Sequence, residues 1–309
     1  MSVPKVTVVG AGFVGAGVAE RILEKELAHV VLIDIIEGMP QGKALDMMES
    51  SPIEGFKTTI VGTNDYKATK DSDVVVITAG LARKPGMSRD DLQTKNAEIV
   101  GGIVTEVARH SPNSVLILVT NPLDVMTYLA WKKSGFDHKR VFGMAGVLDS
   151  ARYAYFLSLE LGVPTRQIDA MVLGGHGDSM VPAPEHTKVN GKSITELLSK
   201  EKIESINQRT RDGGIEIVNL LKSGSAYYAP SSSAVAMVQA VLQDTGRVFP
   251  SCVYLTGQYG IRDTYCGVPA KLGRLGVKEV VELGLTREAQ SALKQSAEHV
   301  REQCAKLNL

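Results

Sequence analysis

Little in this chain stands out by abundance. Its 309 residues include three cysteines, one tryptophan and 5% aromatic residues, and 34 basic side chains balance 34 acidic ones. Each shortage excludes something. Cys252, Cys266 and Cys304 are odd in number and lack CxxC spacing, so neither a disulfide framework nor a thiolate metal site is expected. They read as reduced core residues of a chain that works in the cytoplasm. A formal net charge of zero with interspersed signs argues against a nucleic-acid or membrane-surface partner. No apolar run approaches the roughly 20 residues that span a bilayer. The opening MSVPKVTVVG leads into a strand pattern, not into the regions of a signal peptide. Repeats and low-complexity linkers are missing too. What remains is a 44% hydrophobic chain, long enough for two closely packed domains whose core needs no staple.

The first half alternates short apolar runs with helical stretches. Residues 5–9, 30–33, 74–78 and 115–120 are nearly all apolar, as strands buried on both faces are. Residues 14–26 and 90–109 have helical spacing, and 141–144 suggests a further strand. This alternation predicts an α/β fold with an N-terminal Rossmann doubly wound parallel sheet. The second half reads as α+β. It offers a strand over 167–175, a hairpin over 186–194 turning at Asn190-Gly191, and helices over 195–222 and 231–245. Antiparallel strands follow at 252–257 and 270–281, then a helix with Leu293, Ala297, Val300, Cys304 and Leu307 on one stripe. Gly146 is a candidate hinge, which predicts domains over residues 1–146 and 147–309.

Gly10-Ala11-Gly12-Phe13-Val14-Gly15 fits G-x-G-x-x-G between a strand and a helix, the context that gives the pattern meaning. Gly10 permits a tight turn, Gly12 lets backbone approach a pyrophosphate, and Gly15 lets the helix pack on the strand. Asp34 ends the next strand, where a carboxylate can accept ribose hydroxyls and would repel a 2′-phosphate. Ile35 and Ile36 supply no compensating arginine, so NAD is favoured over NADP. A plain glycine turn beside a solvated acid is the alternative.

Four further segments carry chemistry. His176, in Gly174-Gly175-His176-Gly177-Asp178-Ser179, has little steric cover and suits a proton donor, although a lone histidine is as readily structural. Asp149 is its candidate partner, or else a helix N-cap. Arg152 lies three residues later on the same helical face and offers a planar fork for a carboxylate, or a surface ion pair. Asn121 follows a parallel strand at Thr120-Asn121-Pro122, where ligands of open α/β sheets collect. It would orient a hydroxyl or an amide, or simply end the strand. Finally, LARKPGMSRDDL places Arg83 and Arg89 six residues apart on a loop after a strand. Two positive charges there imply a substrate with negative charge or a carbonyl to polarise.

Six segments resemble the lactate/malate dehydrogenase family, in family order and over nearly the whole chain. They are the glycine fingerprint, ITAG at residues 77–80, RKPGMSRDDL at 83–92, TNPLD at 120–124, GVLDSAR at 146–152 and GGHGDSMVP at 174–182. The likeness is closer to the family's malate dehydrogenases of the lactate-dehydrogenase-like type. It implies NAD-dependent interconversion of (S)-malate and oxaloacetate by a homodimer or homotetramer, with no metal. It implies that His176 is the general acid/base, paired with Asp149, and that Arg152 clamps the substrate carboxylate. Arg89 would polarise the reacting carbonyl, and Asn121 would bond near the reacting oxygen and the nicotinamide. Asn96 would join Gly10, Gly12, Gly15, Asp34 and Asn121 in holding the cofactor. Arg83 stands at the specificity position, where an arginine implies recognition of a second carboxylate. One segment departs from the pattern. Ala183-Pro184-Glu185-His186-Thr187 stands where a basic and then an aromatic residue are usual, which weakens any carry-over of a tetramer. Residues 41–51, rich in Met and Leu, are a candidate interface helix, or plain core.

Two other readings stay in view. A lactate or broad 2-hydroxy-acid dehydrogenase would show pyruvate turnover, which Arg83 argues against. A regulator that binds NAD(H) without chemistry would leave NADH unoxidised by oxaloacetate.

Overall fold

The computed structural model describes residues 3–81 and 88–307, with the side chain of Arg89 outside that description. The first half is β1 (Lys5–Val9), α1 (Phe13–Glu24), β2 (His29–Ile33), α2 (Met39–Glu54), β3 (Ile60–Thr63), β4 (Val74–Ile77), α3 (Arg89–His110), β5 (Val115–Leu118), α4 (Leu123–Ser134) and β6 (Val141–Gly143). The apolar runs become strands because both sheet faces are covered: every residue of β4 and β5 is buried. Helix α1 buries Gly15, Val18, Ala19, Ile22 and Leu23, the stripe that meets the sheet. Helix α3 starts at a capping box, in which the Ser88 hydroxyl accepts from the Asp91 N–H and the Asp91 carboxylate from the Ser88 N–H.

The second half is α5 (Gly146–Leu161), β7 (Ile168–Asp169), β8 (Val172–Gly174), β9 (Met180–Pro182), β10 (Lys188–Val189), β11 (Lys192–Ser193), α6 (Lys200–Leu221), α7 (Tyr228–Leu242), β12 (Val248–Thr256), β13 (Arg262–Gly273), β14 (Gly276–Val280) and α8 (Arg287–Ala305). The main sheet runs β14-β13-β12-β6-β5-β4-β1-β2-β3. Its β3-β2-β1-β4-β5-β6 part is parallel and in the dinucleotide-binding order. The antiparallel strands β12 to β14 therefore extend the Rossmann sheet, joined where Cys252 pairs with Gly143, instead of forming a sheet of their own.

Several local expectations change. The run over 167–175 splits into β7 and β8 because they join different sheets: β7 pairs with β10, and β8 with β9. Helix α6 begins at Lys200, capped by the Ser199 hydroxyl, not at residue 195. Gly146, the candidate hinge, is the first residue of α5, and a Cβ there would lie 2.7 Å from the Pro250 side chain. The Asn190-Gly191 hairpin forms, with φ of 49° and 84° at its two corner residues. Cys252, Cys266 and Cys304 are free and buried. In α8, Leu293, Ala297, Val300 and Cys304 are buried along one face, while Leu307 lies beyond the helix end.

Candidate active site

The glycine turn lies between β1 and β4, where the strand order reverses. Gly10 has φ +102°, and a Cβ there would meet the Ala79 nitrogen and the Thr78 hydroxyl at 2.7 Å. The Thr78 hydroxyl holds the turn by donating to the Val9 and Gly10 carbonyls. Gly15 sits so close behind that its Cβ would stand 1.8 Å from the Gly10 oxygen. Gly12 is the N-cap of α1 with no side-chain cap, and nothing lies within 4 Å of where its Cβ would point. An uncapped helix N-terminus facing open space beside a backbone cradle fits a pyrophosphate. Asp34 is fixed by accepting from the Ala11 N–H at 2.7 Å and the Ile36 N–H at 3.0 Å. Gly15→Ala is expected to cost at least the ~1–3 kcal/mol of an overpacked contact. A lower Tm together with lost NADH fluorescence enhancement checks this, and unchanged NADH binding would contradict it.

The Asn121-Pro122 peptide is cis and leads into α4. Asn96, wholly buried, braces this corner: its amide accepts from the Leu81 N–H at 2.7 Å and donates to the Leu81 and Asn121 carbonyls. Asn121 faces a cleft of about 450 Å³ between the two halves, shared with Thr78, Arg152, His176, Arg211 and Ser225.

Across this cleft stands the charged cluster. The His176 ring bonds through Nδ1 to Asp149 Oδ2 at 3.0 Å, and the other Asp149 oxygen lies 3.5 Å from the Arg152 guanidinium. Asp149 is 2% exposed and sits inside the first turn of α5, after the N-cap Ala145, so it is no helix cap. Burial disfavours the imidazolium, but the charge and hydrogen bond of Asp149, helped by Asp124 and opposed by Arg152, lift the His176 pKa above its ordinary value. Burial likewise lowers the Arg152 pKa, against the pull of Asp149. Arg152 Nε is buried without a hydrogen-bond partner among the described residues, and an orphaned guanidinium edge beside a cleft calls for an anion. Its stem lies against α6, where a Cβ on Gly213 would come within 3.1 Å of Arg152 Cδ.

Sequence reasoning missed several of these residues. Arg211, Gly213 and Gly214 fell within the stretch expected only to be a helix over 195–222, with no role assigned to them. Asp124 was present in the TNPLD segment, but nothing local showed that it accepts from the His176 N–H at 2.9 Å. Arg83 lies outside the described residues. Arg89 opens α3, and its side chain is likewise outside them. Among the described residues, no group of three or more His, Cys, Asp or Glu could hold a metal ion.

Residues 4–143 match the family described as lactate/malate dehydrogenase, NAD binding domain, and residues 146–308 match its alpha/beta C-terminal domain. The chain belongs to the lactate/malate dehydrogenase family. Within that family, it is 57% identical over 304 residues to the malate dehydrogenase of Pelodictyon phaeoclathratiforme, covering 98% of each chain. The malate dehydrogenase of Salinibacter ruber superposes with a TM-score of 0.93 at 51% identity, covering 97% of this chain and 96% of that one. A lactate dehydrogenase of Cryptosporidium parvum, in complex with lactic acid and nicotinamide adenine dinucleotide, superposes at 0.96 with 39% identity over 99% of this chain and 98% of that one. Malate and lactate dehydrogenases thus share this backbone, so the fold alone does not separate the two.

Proposed function

We infer that the chain is an NAD-dependent malate dehydrogenase, interconverting (S)-malate and oxaloacetate. The observation that carries this reading is the His176–Asp149–Arg152 cluster facing the cleft beside the glycine turn, in a chain whose relatives at more than half identity are malate dehydrogenases. Gly10, Gly12, Gly15 and Asp34 would hold NAD, with Asn96 acting through the Asn121 corner that it braces. Bound there, the nicotinamide supplies or accepts hydride at substrate C2. His176, whose protonated form Asp149 favours, gives a proton to the carbonyl oxygen in reduction and takes it back as base in oxidation. Arg152 receives one carboxylate as a bidentate pair, which supplies the missing partner of Nε. Asn121 orients the reacting oxygen, and Arg89 stabilises the charge that develops on it. Arg83 would meet the second carboxylate. With pyruvate that charge would face a methyl group, and an unpaired buried charge costs several kcal/mol.

Steady-state rates with oxaloacetate and pyruvate, each with NADH and NADPH, test the reading. Oxaloacetate with NADH should exceed the other three pairs by at least about 100-fold, and Arg83→Gln should remove most of the preference for oxaloacetate. Equal loss on both acids would remove Arg83 from specificity.

The division near residue 146 into cofactor and substrate domains remains part of this proposal, as does cytoplasmic residence, which three free buried cysteines suit. No helix among the described residues is long and apolar enough to cross a membrane. Self-association, at least as a homodimer, is supported by exposed apolar side chains: Leu45 and Ile53 on α2, Tyr155 and Leu159 on α5, Ile215 and Leu220 on α6. Within residues 41–51 of α2, Met47 and Met48 pack on the core, while exposed Leu45 is what supports the interface reading.

A further inference from the structure

The loop that carries His176 is held by side chains from three helices. The Gly175 N–H donates to the Ser296 hydroxyl of α8 at 2.7 Å, and the next amide, that of His176, donates to Asp124 Oδ2 of α4 at 2.9 Å. The ring itself is tied to Asp149 of α5. Asp124 is 5% exposed. An acid in the first turn of a helix ordinarily faces water and favours the helix dipole; this one is buried and directs an oxygen at another element. It also stands three residues after Asn121, whose carbonyl Asn96 clamps at 2.7 Å.

We propose that Asp124 is a positioning residue for proton transfer: its carboxylate fixes the backbone of His176 and locks that loop to the Asn121 corner across the cleft. A dehydrogenase must hold the proton donor and the oxygen-orienting amide in register on either side of one substrate atom. Here they belong to different halves of the chain. Asp124 is the one side chain described above that is covalently near Asn121 and hydrogen-bonded to the residue carrying the imidazole. The charges facing that imidazole are Asp149 and Arg152 from α5 and Asp124 from α4. Arg211 of α6 lines the same cleft, Asp178 follows on the loop, and the thiol of Cys252 on β12 lies beside Asp124. Burial and the Asp124 charge push the Cys252 pKa well up, and burial raises the pKa of Asp124 too, against the bonds it accepts from Cys252 and the His176 amide; in its ionised form Asp124 favours the imidazolium.

This inference rests on the reading of His176 as the proton-transfer residue, so His176→Ala is assayed in parallel. If that variant keeps turnover, the proton-transfer reading fails, whatever Asp124 does. The experiment compares Asp124→Ala and Asp124→Asn with the parent enzyme by NADH oxidation with oxaloacetate, by NADH binding fluorescence, and by malate oxidation across about pH 5.5–9.5. Asp124→Ala should lose at least about tenfold in kcat, with KM and NADH affinity changed less than about threefold. Asp124→Asn keeps a carbonyl oxygen for the His176 amide, so it should recover most of that kcat. Because a negative charge favouring imidazolium is removed, its pH midpoint for malate oxidation should move to lower pH. The proposal is overturned if Asp124→Ala retains kcat within tenfold, if Asp124→Asn falls as far as the alanine variant, or if the midpoint stays in place. Should the alanine variant not fold, Asp124→Leu, similar in shape but without an acceptor for the His176 amide, takes its place with the same kcat outcomes.

Discussion

Asp149→Asn is expected to lower kcat for oxaloacetate reduction roughly 100- to 1,000-fold at neutral pH, the range of a lost general acid. The buried carboxylate serves two cations, His176 at 3.0 Å and Arg152 at 3.5 Å. An asparagine there retains size but not charge, so the imidazolium loses the partner that outweighs its burial. The His176 pKa, raised by Asp149, must then fall. Both limbs shift the same way, but the effect on the rate near neutrality differs between directions. Reduction needs the protonated ring, so its working range retreats to lower pH. Oxidation needs the neutral ring, so its rising limb also moves to lower pH, and part of the malate rate survives near neutrality. Asparagine can also present its amide N–H to Nδ1 and hold the neutral ring as the Nε2–H tautomer, which cannot accept the substrate proton and so limits the malate rate further. pH profiles of kcat/KM in both directions check this, and unshifted limbs would mean that Asp149 acts only as a structural acid.

Arg152→Lys is expected to lower kcat/KM for oxaloacetate about 100- to 1,000-fold, equivalent to roughly 3–4 kcal/mol. The side chain is 14% exposed, its Nε lacks a partner, and α6 leaves a glycine-lined space for its flat stem. A lysine brings one point charge in place of a two-pronged fork and leaves part of that space empty. NADH affinity should not change, because the glycine turn and Asp34 lie on the other side of the cleft. Steady-state kinetics with fluorescence titration of NADH separates these effects. A fall below about tenfold in kcat/KM would remove Arg152 as the carboxylate clamp.

The N-terminal sheet was the most legible part of the chain. Strand β1 spans residues 5–9 as its apolar run predicts, and β2, β4, β5 and β6 differ from expectation by one or two residues at their ends. Strands buried on both faces admit few polar side chains, so burial is written into composition. The short strand β3 was not anticipated: it is four residues long and only its first, Ile60, is buried, so it resembles a loop. The C-terminal strands were seen in part: the run expected over 252–257 falls almost wholly on β12, while that over 270–281 covers only the end of β13 and all of β14, and residues 262–269 of β13 were not anticipated. That they continue the Rossmann sheet was not visible. Only one residue pair, Cys252 with Gly143, makes the join to β6.

The candidate site divides along the same line. His176, Asp149, Arg152, Asn121, Asp34 and the three glycines could be named from the chain because each chemistry needs a particular residue type within a short motif. Arg83 and Arg89 were named in the same way and remain proposals of the sequence. Contacts between motifs are another matter. The distance from His176 to Asp149 spans 27 positions, that from its amide to Asp124 spans 52, and that from Gly175 to Ser296 spans 121. The sequence by itself determined the parallel sheet, the phosphate cradle and the kinds of group available for acid–base and carboxylate chemistry, because these follow from local periodicity and residue chemistry. Only the tertiary structure decided which carboxylate serves the histidine ring and which holds its backbone, and that two helix glycines seat the arginine. Those assignments depend on distances between segments remote in the chain, which packing sets and local sequence does not.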